Sequence, residues 1–184
     1  MAVMWGLAYA TLVAALVVRV RATAAPPPEP VQPLPGEPLW PTRLHHALFA
    51  LLLAGAPLED LVLGGAARGR AAGLAAFAAG VVLYRVAGRT LGDALSPFVA
   101  PRPGAPLVTH GCYRLVRHPI YLGQALIALG APLTLGARWV LAVTAAALAV
   151  LVLRTVREEE ALARTFPDYV RYAATTKRIV PFVY

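Results

Sequence analysis

The sequence predicts an all-α, multi-pass integral membrane protein, and three observations support that class. Hydrophobic residues make up 59% of the 184 residues and charged residues only 14%, whereas soluble domains carry roughly 25% charged residues. The mean hydropathy is positive, at +0.64. The apolar residues also gather in long uncharged runs, as membrane-spanning segments do. We therefore expect a single membrane domain with about five transmembrane helices.

Five apolar runs are candidate spans, although several are shorter than the roughly 20 residues that a bilayer core requires. They are residues 1–18, 44–63, 71–84, 119–137 and 139–153. At the end of the third run, Arg85 and Arg89 are expected to extend toward lipid headgroups. Only Arg138 separates the last two runs. We therefore expect the fourth and fifth helices to form a tight hairpin.

A proline-rich segment follows the first span. Residues 24–41 cannot be helical throughout and predict an extended linker between the first two spans.

The first apolar run is followed, not preceded, by basic residues, which is the reverse of a secretory signal. We therefore expect it to be retained as a helix.

An amphipathic segment follows the fifth span. Its apolar residues recur at spacings of four, three and three, which is typical of one helix face. They are Leu162, Phe166, Tyr169 and Tyr172. Pro167 is expected to kink or restart this helix. The pattern predicts a C-terminal amphipathic helix on the cytoplasmic face of the membrane.

The basic residues predict the orientation. The chain has 17 Lys and Arg against 9 Asp and Glu, and all but Arg68, Arg70 and Arg138 fall on one side of the predicted spans. Cytoplasmic loops retain such residues, so we expect the N-terminus outside and the C-terminus in the cytoplasm, at the inner membrane if the cell is bacterial. The basic loops border apolar spans and lack the interleaved aromatics of a single-strand-binding groove. Anionic membrane lipid is the expected partner, and nucleic acid is not.

The sequence does not predict a metal site. Cys112 is the only cysteine, and we expect it to be a small apolar filler. Three consecutive glutamates, residues 158–160, cannot all face one ion, and the pair His45 and His46 lies on another run without spaced carboxylates.

Two polar clusters lie at the ends of apolar runs, where ionisable groups are functional candidates. The first comprises Tyr113, Arg117, His118 and Tyr121 around Pro119, a residue suited to the first turn of a helix. Free backbone N–H groups at such a helix start favour a carboxylate ligand. The alternative is a belt of Arg, His and Tyr at headgroup level.

The second cluster is Arg154 with Glu158, four residues apart and so on one helix face. The pair is either a surface ion pair that stabilises the helix by about 0.2–0.5 kcal/mol or part of a pocket at the cytoplasmic mouth of the fifth span. The residue types alone leave both interpretations open.

The two clusters lie within stretches that resemble a known family. LVTHGCYRLVRHPIYLG (residues 107–123), followed after the hairpin by RTVREEEALARTFPDYVRYAATTKRIVP (residues 154–181), resembles the C-terminal half of the isoprenylcysteine carboxyl methyltransferase family. That family is grouped with the membrane phospholipid methyltransferases. The resemblance implies an integral membrane methyltransferase that uses S-adenosylmethionine. Its catalytic half would be residues 105–184, and residues 1–104 would hold the first three helices and the linker.

Carried over residue by residue, the resemblance implies where the cofactor and the acceptor bind. The implied cofactor contacts are Leu107, Val108, Tyr113, His118, Pro119, Ile120, Tyr121 and Glu158. Arg154 matches the family's arginine on the substrate side of the pocket and is the implied catalytic residue. Arg178 and Pro181 match a tail element without an assigned role, and Pro167 stands where the family commonly has glycine.

The resemblance implies a lipophilic or prenylated acceptor, most simply the carboxylate of an isoprenylcysteine. A carboxylate is already ionised and needs no general base. A phospholipid amine or a thiol must lose a proton, for which Glu158 or a tyrosine is the candidate base. Two other classes remain open from the sequence: a nicotinamide-dependent membrane reductase of related architecture, and a non-enzymatic membrane scaffold whose arginines only set its topology.

Overall fold

The computed structural model describes residues 2–22, 32–33, 36–65 and 68–179, and those ranges contain helices and no sheet. The helices are α1 (Ala2–Ala22), α2 (Trp40–Leu63), α3 (Arg70–Leu91), α4 (Pro119–Leu135), α5 (Val140–Thr165) and α6 (Tyr169–Thr175). Two short 3₁₀ turns, Gly92–Ala94 and Gly111–Arg114, lie between α3 and α4. The predicted all-α class is confirmed. Most of the predicted linker, and Pro181, lie outside the described residues.

Three helices are long and apolar enough to cross a membrane: α2, α5, and α3 with its 3₁₀ extension to Ala94. Two further apolar helical segments are shorter than these three: Val3–Val17 within α1, and α4. Large side chains such as Leu61 and Val82 are exposed on the outer surface of the bundle, as lipid-facing residues would be. The chain is an integral membrane protein, and five crossings remain a prediction.

The most extensive helix contact joins α3 and α4, which run antiparallel. Glycines allow it: a Cβ atom on Gly80 would lie 2.7 Å from the carbonyl oxygen of Gly123, and one on Gly130 would lie 2.4 Å from the backbone nitrogen of Phe77. Gly73 meets the backbone of α4 in the same way. Small residues let membrane helices approach this closely, so these glycines fix where α4 begins relative to the end of α3.

Carboxylates of α2 hold the loops at one end of the bundle. Glu59 accepts hydrogen bonds from the backbone N–H groups of Arg138, Trp139 and Val140 at 2.6, 3.0 and 3.0 Å. It thereby satisfies donors at the start of α5 that have no partner within that helix. Residues 136–139 are the whole connection between α4 and α5, so the predicted tight hairpin is confirmed.

One expectation about a helix end is wrong. Arg85 does not extend away from the bundle, because its Nη2 donates to the carbonyl oxygen of Ala15 in α1 at 2.9 Å. Helix α5 continues from the fifth apolar run through the charged residues to Thr165 without a break. The break falls at residues 166–168, around Pro167, and the short helix α6 follows.

Candidate active site

A cavity of about 370 Å³ lies at the other end of the bundle, within the range of roughly 300–1,000 Å³ that small-molecule sites occupy. It is enclosed by the starts of α2 and α4, the ends of α3 and α5, α6, and the segment of residues 94–108. Seven Phe and Tyr side chains of the described residues line it: Tyr84, Phe98, Tyr113, Tyr121, Phe166, Tyr169 and Tyr172. The apolar face predicted for the C-terminal segment therefore faces this cavity.

The structure brings eight of the nine predicted site residues to this cavity. They are Leu107, Val108, Tyr113, His118, Ile120, Tyr121, Arg154 and Glu158. Pro119 does not line it; this residue is buried at the first position of α4, where a missing N–H loses no hydrogen bond.

The 3₁₀ turn before α4 is tied to α6. Tyr172 donates its hydroxyl to the carbonyl oxygen of Tyr113 at 2.6 Å. Burial raises the pKa of Tyr172 to about 12, and burial also raises the pKa of Tyr113 far above its usual value. Both phenols are therefore neutral at physiological pH, and Tyr172 remains a donor.

His118 lies between the cavity and a carboxylate. Its ring stacks on Tyr121 with centroids 5.4 Å apart and an interplanar angle of 10°. Its Nε2 lies 3.3 Å from Oε1 of Glu159, and its backbone N–H donates to the carbonyl oxygen of Arg178 at 3.0 Å. A side-chain carboxylate of α5 thus meets this histidine at the helix start.

Glu159 is the centre of an ionic cluster that sequence reasoning missed. Its carboxylate pairs with Nε of Arg117 at 2.8 Å and with Nη2 of Arg178 at 2.7 Å, in addition to His118. Arg117 also donates to the carbonyl oxygens of Ala173 and Thr176. The cluster fastens the chain after α6 to the segment that begins α4.

The three consecutive glutamates have three different environments. Glu158 faces the cavity, Glu159 holds the ionic cluster, and Glu160 is exposed and pairs with Arg164 on the helix surface at 3.3 Å. Successive residues of a helix point about 100° apart. The run therefore divides its charges among the cavity, the tail and the solvent.

Arg154 and Glu158 do not form the ion pair considered from their spacing; both meet Tyr121 instead. Tyr121 donates its hydroxyl to Oε2 of Glu158 at 2.5 Å. The Arg154 guanidinium lies 5.9 Å from the centroid of the Tyr121 ring, and its Nη2 donates to the carbonyl oxygen of Pro97 at 3.0 Å. A side chain from α4 therefore contacts both of the residues that the spacing places on one face of α5.

The Arg154 side chain is buried and only partly bonded. The residue is 4% exposed, and its Nε and Nη1 atoms have no hydrogen-bond partner within the described ranges. No described carboxylate forms a salt bridge with it. Such a buried cation is unfavourable unless an anion joins it.

Several lining residues had not been predicted. Residues 94–101 line the cavity, and nothing in their composition marks them. Gln124 and the pair His45 and His46 also line it. These three carried a usable signal, because polar or ionisable residues inside apolar runs are functional candidates. Within the described ranges, no group of three His, Cys, Asp or Glu side chains is placed to hold a metal ion.

The fold and the cavity define a helical integral membrane protein with a cavity of small-molecule size at one end of its bundle. The chain belongs to the phospholipid methyltransferase family, whose sequence model matches residues 69–169, from the start of α3 into α6. No match was found among curated proteins. The family resemblance seen in the sequence is thereby confirmed.

A solved structure supports the same fold. The chain is similar to the eukaryotic intramembrane Ras methyltransferase, isoprenylcysteine carboxyl methyltransferase, with a TM-score of 0.56 at 21% identity. The similarity covers 82% of this chain and 55% of that one. The chain therefore spans about half the length of the solved methyltransferase, and the likeness establishes the fold.

Proposed function

We propose that this protein is an S-adenosylmethionine-dependent membrane methyltransferase that methylates a lipophilic acceptor bearing a carboxylate, such as an isoprenylcysteine. One observation carries the proposal. Arg154 presents a buried guanidinium with two unbonded nitrogens to the same cavity as Glu158 and a wall of aromatic rings. Family membership agrees with this assignment.

The cavity suits a cationic, partly aromatic cofactor. Glu158 accepts the Tyr121 hydroxyl and forms no salt bridge with a described side chain, so its charge can complement a positive ligand. Aromatic faces also attract cations. When bound, S-adenosylmethionine supplies a methyl group carried on a positively charged sulfur. The residues proposed to hold it are Leu107, Val108, Tyr113, His118, Pro119, Ile120, Tyr121 and Glu158.

Arg154 is the proposed acceptor-binding residue. A guanidinium can hold a carboxylate through two parallel charge-assisted hydrogen bonds, and the Nε and Nη1 atoms of Arg154 have no other acceptor among the described residues. Fixing the acceptor in one orientation removes much of the entropic barrier to reaction. A carboxylate carries no proton to remove, which agrees with a site whose buried tyrosines are not bases at neutral pH.

We further propose five membrane crossings, with the cavity and the C-terminus in the cytoplasm and the N-terminus outside. The starts of α2 and α4 and the ends of α3 and α5 meet at the cavity, on the side to which the basic loops were assigned. A polar cofactor would enter from the cytoplasm and a lipophilic acceptor from the bilayer. Labelling of a cysteine introduced after residue 175 tests the orientation. We expect a membrane-impermeant reagent to leave this cysteine unmodified in intact cells and to modify it after the membrane has been permeabilised.

A phospholipid amine is the second candidate acceptor, because the family's description names phospholipid as its substrate. In that case a proton must leave, and Glu158 is the candidate base.

The test is to incubate the purified protein in detergent with membrane lipid extract and deuterated-methyl S-adenosylmethionine, and to analyse the lipids by mass spectrometry. A base-labile methyl ester on an acidic lipid supports the proposal, whereas label on an amine favours the second candidate. Binding of a nicotinamide in place of S-adenosylmethionine would indicate a reductase. If the protein bound neither cofactor, the result would favour a non-enzymatic membrane scaffold.

A further inference from the structure

The first turns of α2 present a polar face to the cavity that the proposed function does not use. His45 is 2% exposed and lines the cavity, although it lies within an apolar helix. Its ring packs on Phe49 with centroids 4.6 Å apart. Its Nδ1 atom is buried and has no hydrogen-bond partner in the described part of the chain. Burying a polar atom in this way is unfavourable unless a ligand completes its bonding.

His45 and Arg154 act in the same space. Both side chains line the cavity, His45 from the start of α2 and Arg154 from α5. Two nitrogens of the guanidinium and one of the imidazole, all from residues that line this cavity, therefore lack hydrogen-bond partners among the described residues. A neutral imidazole with its proton on Nδ1 is a hydrogen-bond donor there, so all three nitrogens can donate.

The neighbouring His46 is less suited to this role. It is exposed at the cavity rim, and its imidazole is bonded to the backbone of Thr42. His45 is the one of the two whose ring is fixed by packing and whose Nδ1 lacks a partner.

We propose that His45 is a second acceptor-binding residue, which donates its Nδ1–H to the anionic headgroup that Arg154 holds. The inference rests on the proposed function and narrows it, because three converging donors select an acid over an amine. A protonated amine would meet the positive charge of Arg154 and offer no acceptor to the imidazole N–H. A neutral amide could accept hydrogen bonds but would leave the Arg154 charge unpaired.

The experiment compares His45→Phe, His45→Asn and wild type in detergent. Phenylalanine keeps the aromatic packing and removes the donor, whereas asparagine restores a donor near the Nδ1 position. His110→Phe is the matched control, because His110 is exposed and lies outside the cavity. Two quantities are measured: the affinity for S-adenosylmethionine, and equilibrium binding of an S-prenylated N-acylcysteine and of its carboxamide. Acceptor binding is measured in the presence of S-adenosylhomocysteine, so that no turnover occurs.

His45→Phe is expected to weaken binding of the acid about tenfold or more, as loss of a hydrogen bond to a charged group does. It should weaken binding of the carboxamide far less and leave the cofactor affinity within about twofold of wild type. His45→Asn should recover most of the lost affinity, and His110→Phe should match wild type.

Undiminished binding of the acid by His45→Phe would overturn the role of His45 and leave the proposed function standing. If His45→Phe weakened binding of the acid and of the carboxamide equally, or if His45→Asn recovered no affinity for the acid, the histidine would have only a packing role. Failure of the wild type itself to bind S-adenosylmethionine would overturn the proposed function, and this inference with it.

Discussion

The two ends of the helix bundle both contain arginines and carboxylates, but among the described residues only the cavity end has a buried charge without a counter-ion. At the loop end, Glu59 accepts three backbone N–H groups, and Asp60 pairs with Arg70 at 3.1 Å. At the cavity end, Arg154 is bonded by one carbonyl oxygen and faces an aromatic ring. The carboxylates at the loop end therefore have hydrogen-bond or ion-pair partners, whereas the Arg154 guanidinium at the cavity end has only one hydrogen bond with a described residue.

The cavity end repeats that contrast on a smaller scale. Glu159 is surrounded by three basic side chains and fastens the tail, while Arg154, one and a half turns earlier on the same helix, has no such partners. Saturated ionic groups stabilise one conformation, whereas an unsaturated buried group raises the energy of the empty site. We therefore propose structural roles for Glu59, Asp60 and Glu159 and a ligand-binding role for Arg154.

The largest expected effect is on turnover. Arg154→Ala should lower kcat with a carboxylate acceptor by about 100-fold or more, because an unoriented acceptor loses its alignment. Cofactor affinity should be retained, and Arg154→Lys should recover only part of the rate because an ammonium lacks the planar fork. Arg157→Ala is the matched control: the Arg157 guanidinium packs over the Trp40 ring at 5.1 Å, outside this cavity. Equal kcat in Arg154→Ala and wild type would refute the assignment.

The same contrast predicts a large loss of stability at Glu159. Glu159→Gln leaves three basic groups without their carboxylate and should lower the free energy of unfolding by about 3 kcal/mol, measured as the thermal midpoint in detergent. Glu160→Gln is the control, because an exposed ion pair contributes less than about 1 kcal/mol. Similar midpoints for both variants would show that the cluster is not what holds the tail.

A smaller effect is expected on cofactor affinity. Glu158→Gln removes the charge that faces the cavity and should weaken S-adenosylmethionine binding about tenfold, with little change in the thermal midpoint. A loss of affinity in Glu158→Gln could come from the missing charge or from a weakened hydrogen bond to Tyr121. Tyr121→Phe separates these two causes, because it keeps the Glu158 charge and removes only the hydroxyl. Calorimetry that gave unchanged affinity for Glu158→Gln would mean that this carboxylate does not contact the cofactor.

The smallest effect lies at the loop end. Glu59→Ala should cost about 1 kcal/mol of stability through the lost cap, and amide exchange should quicken at residues 138–140. Cofactor affinity should not change, because Glu59 lies at the opposite end of the bundle from the cavity. A marked fall in affinity would show that the two ends are coupled.

Much of the fold was predictable from the sequence because its causes are local. Uncharged apolar runs form helices in a membrane, where every backbone polar group needs an internal partner. A single arginine between two runs forces a hairpin, and Pro167 breaks the helix that precedes it. The candidate residues from Leu107 to Tyr121, apart from Pro119, reach the cavity together because they adjoin the start of one helix.

The contacts that define the site were decided by tertiary structure, because they join residues that are distant in sequence. Spacing alone brings Arg154 and Glu158 to one face of α5, but the position of α4 places Tyr121 against both of them. Three adjacent glutamates are equivalent in the sequence, and only the packing of α5 sends one into the cavity, one to the tail and one to solvent. His45 and Pro97 lie 109 and 57 residues from Arg154 along the chain. No local pattern brings such distant residues to one cavity. That arrangement depends on how the helices pack against one another, including the close approach of α3 and α4 at their glycines.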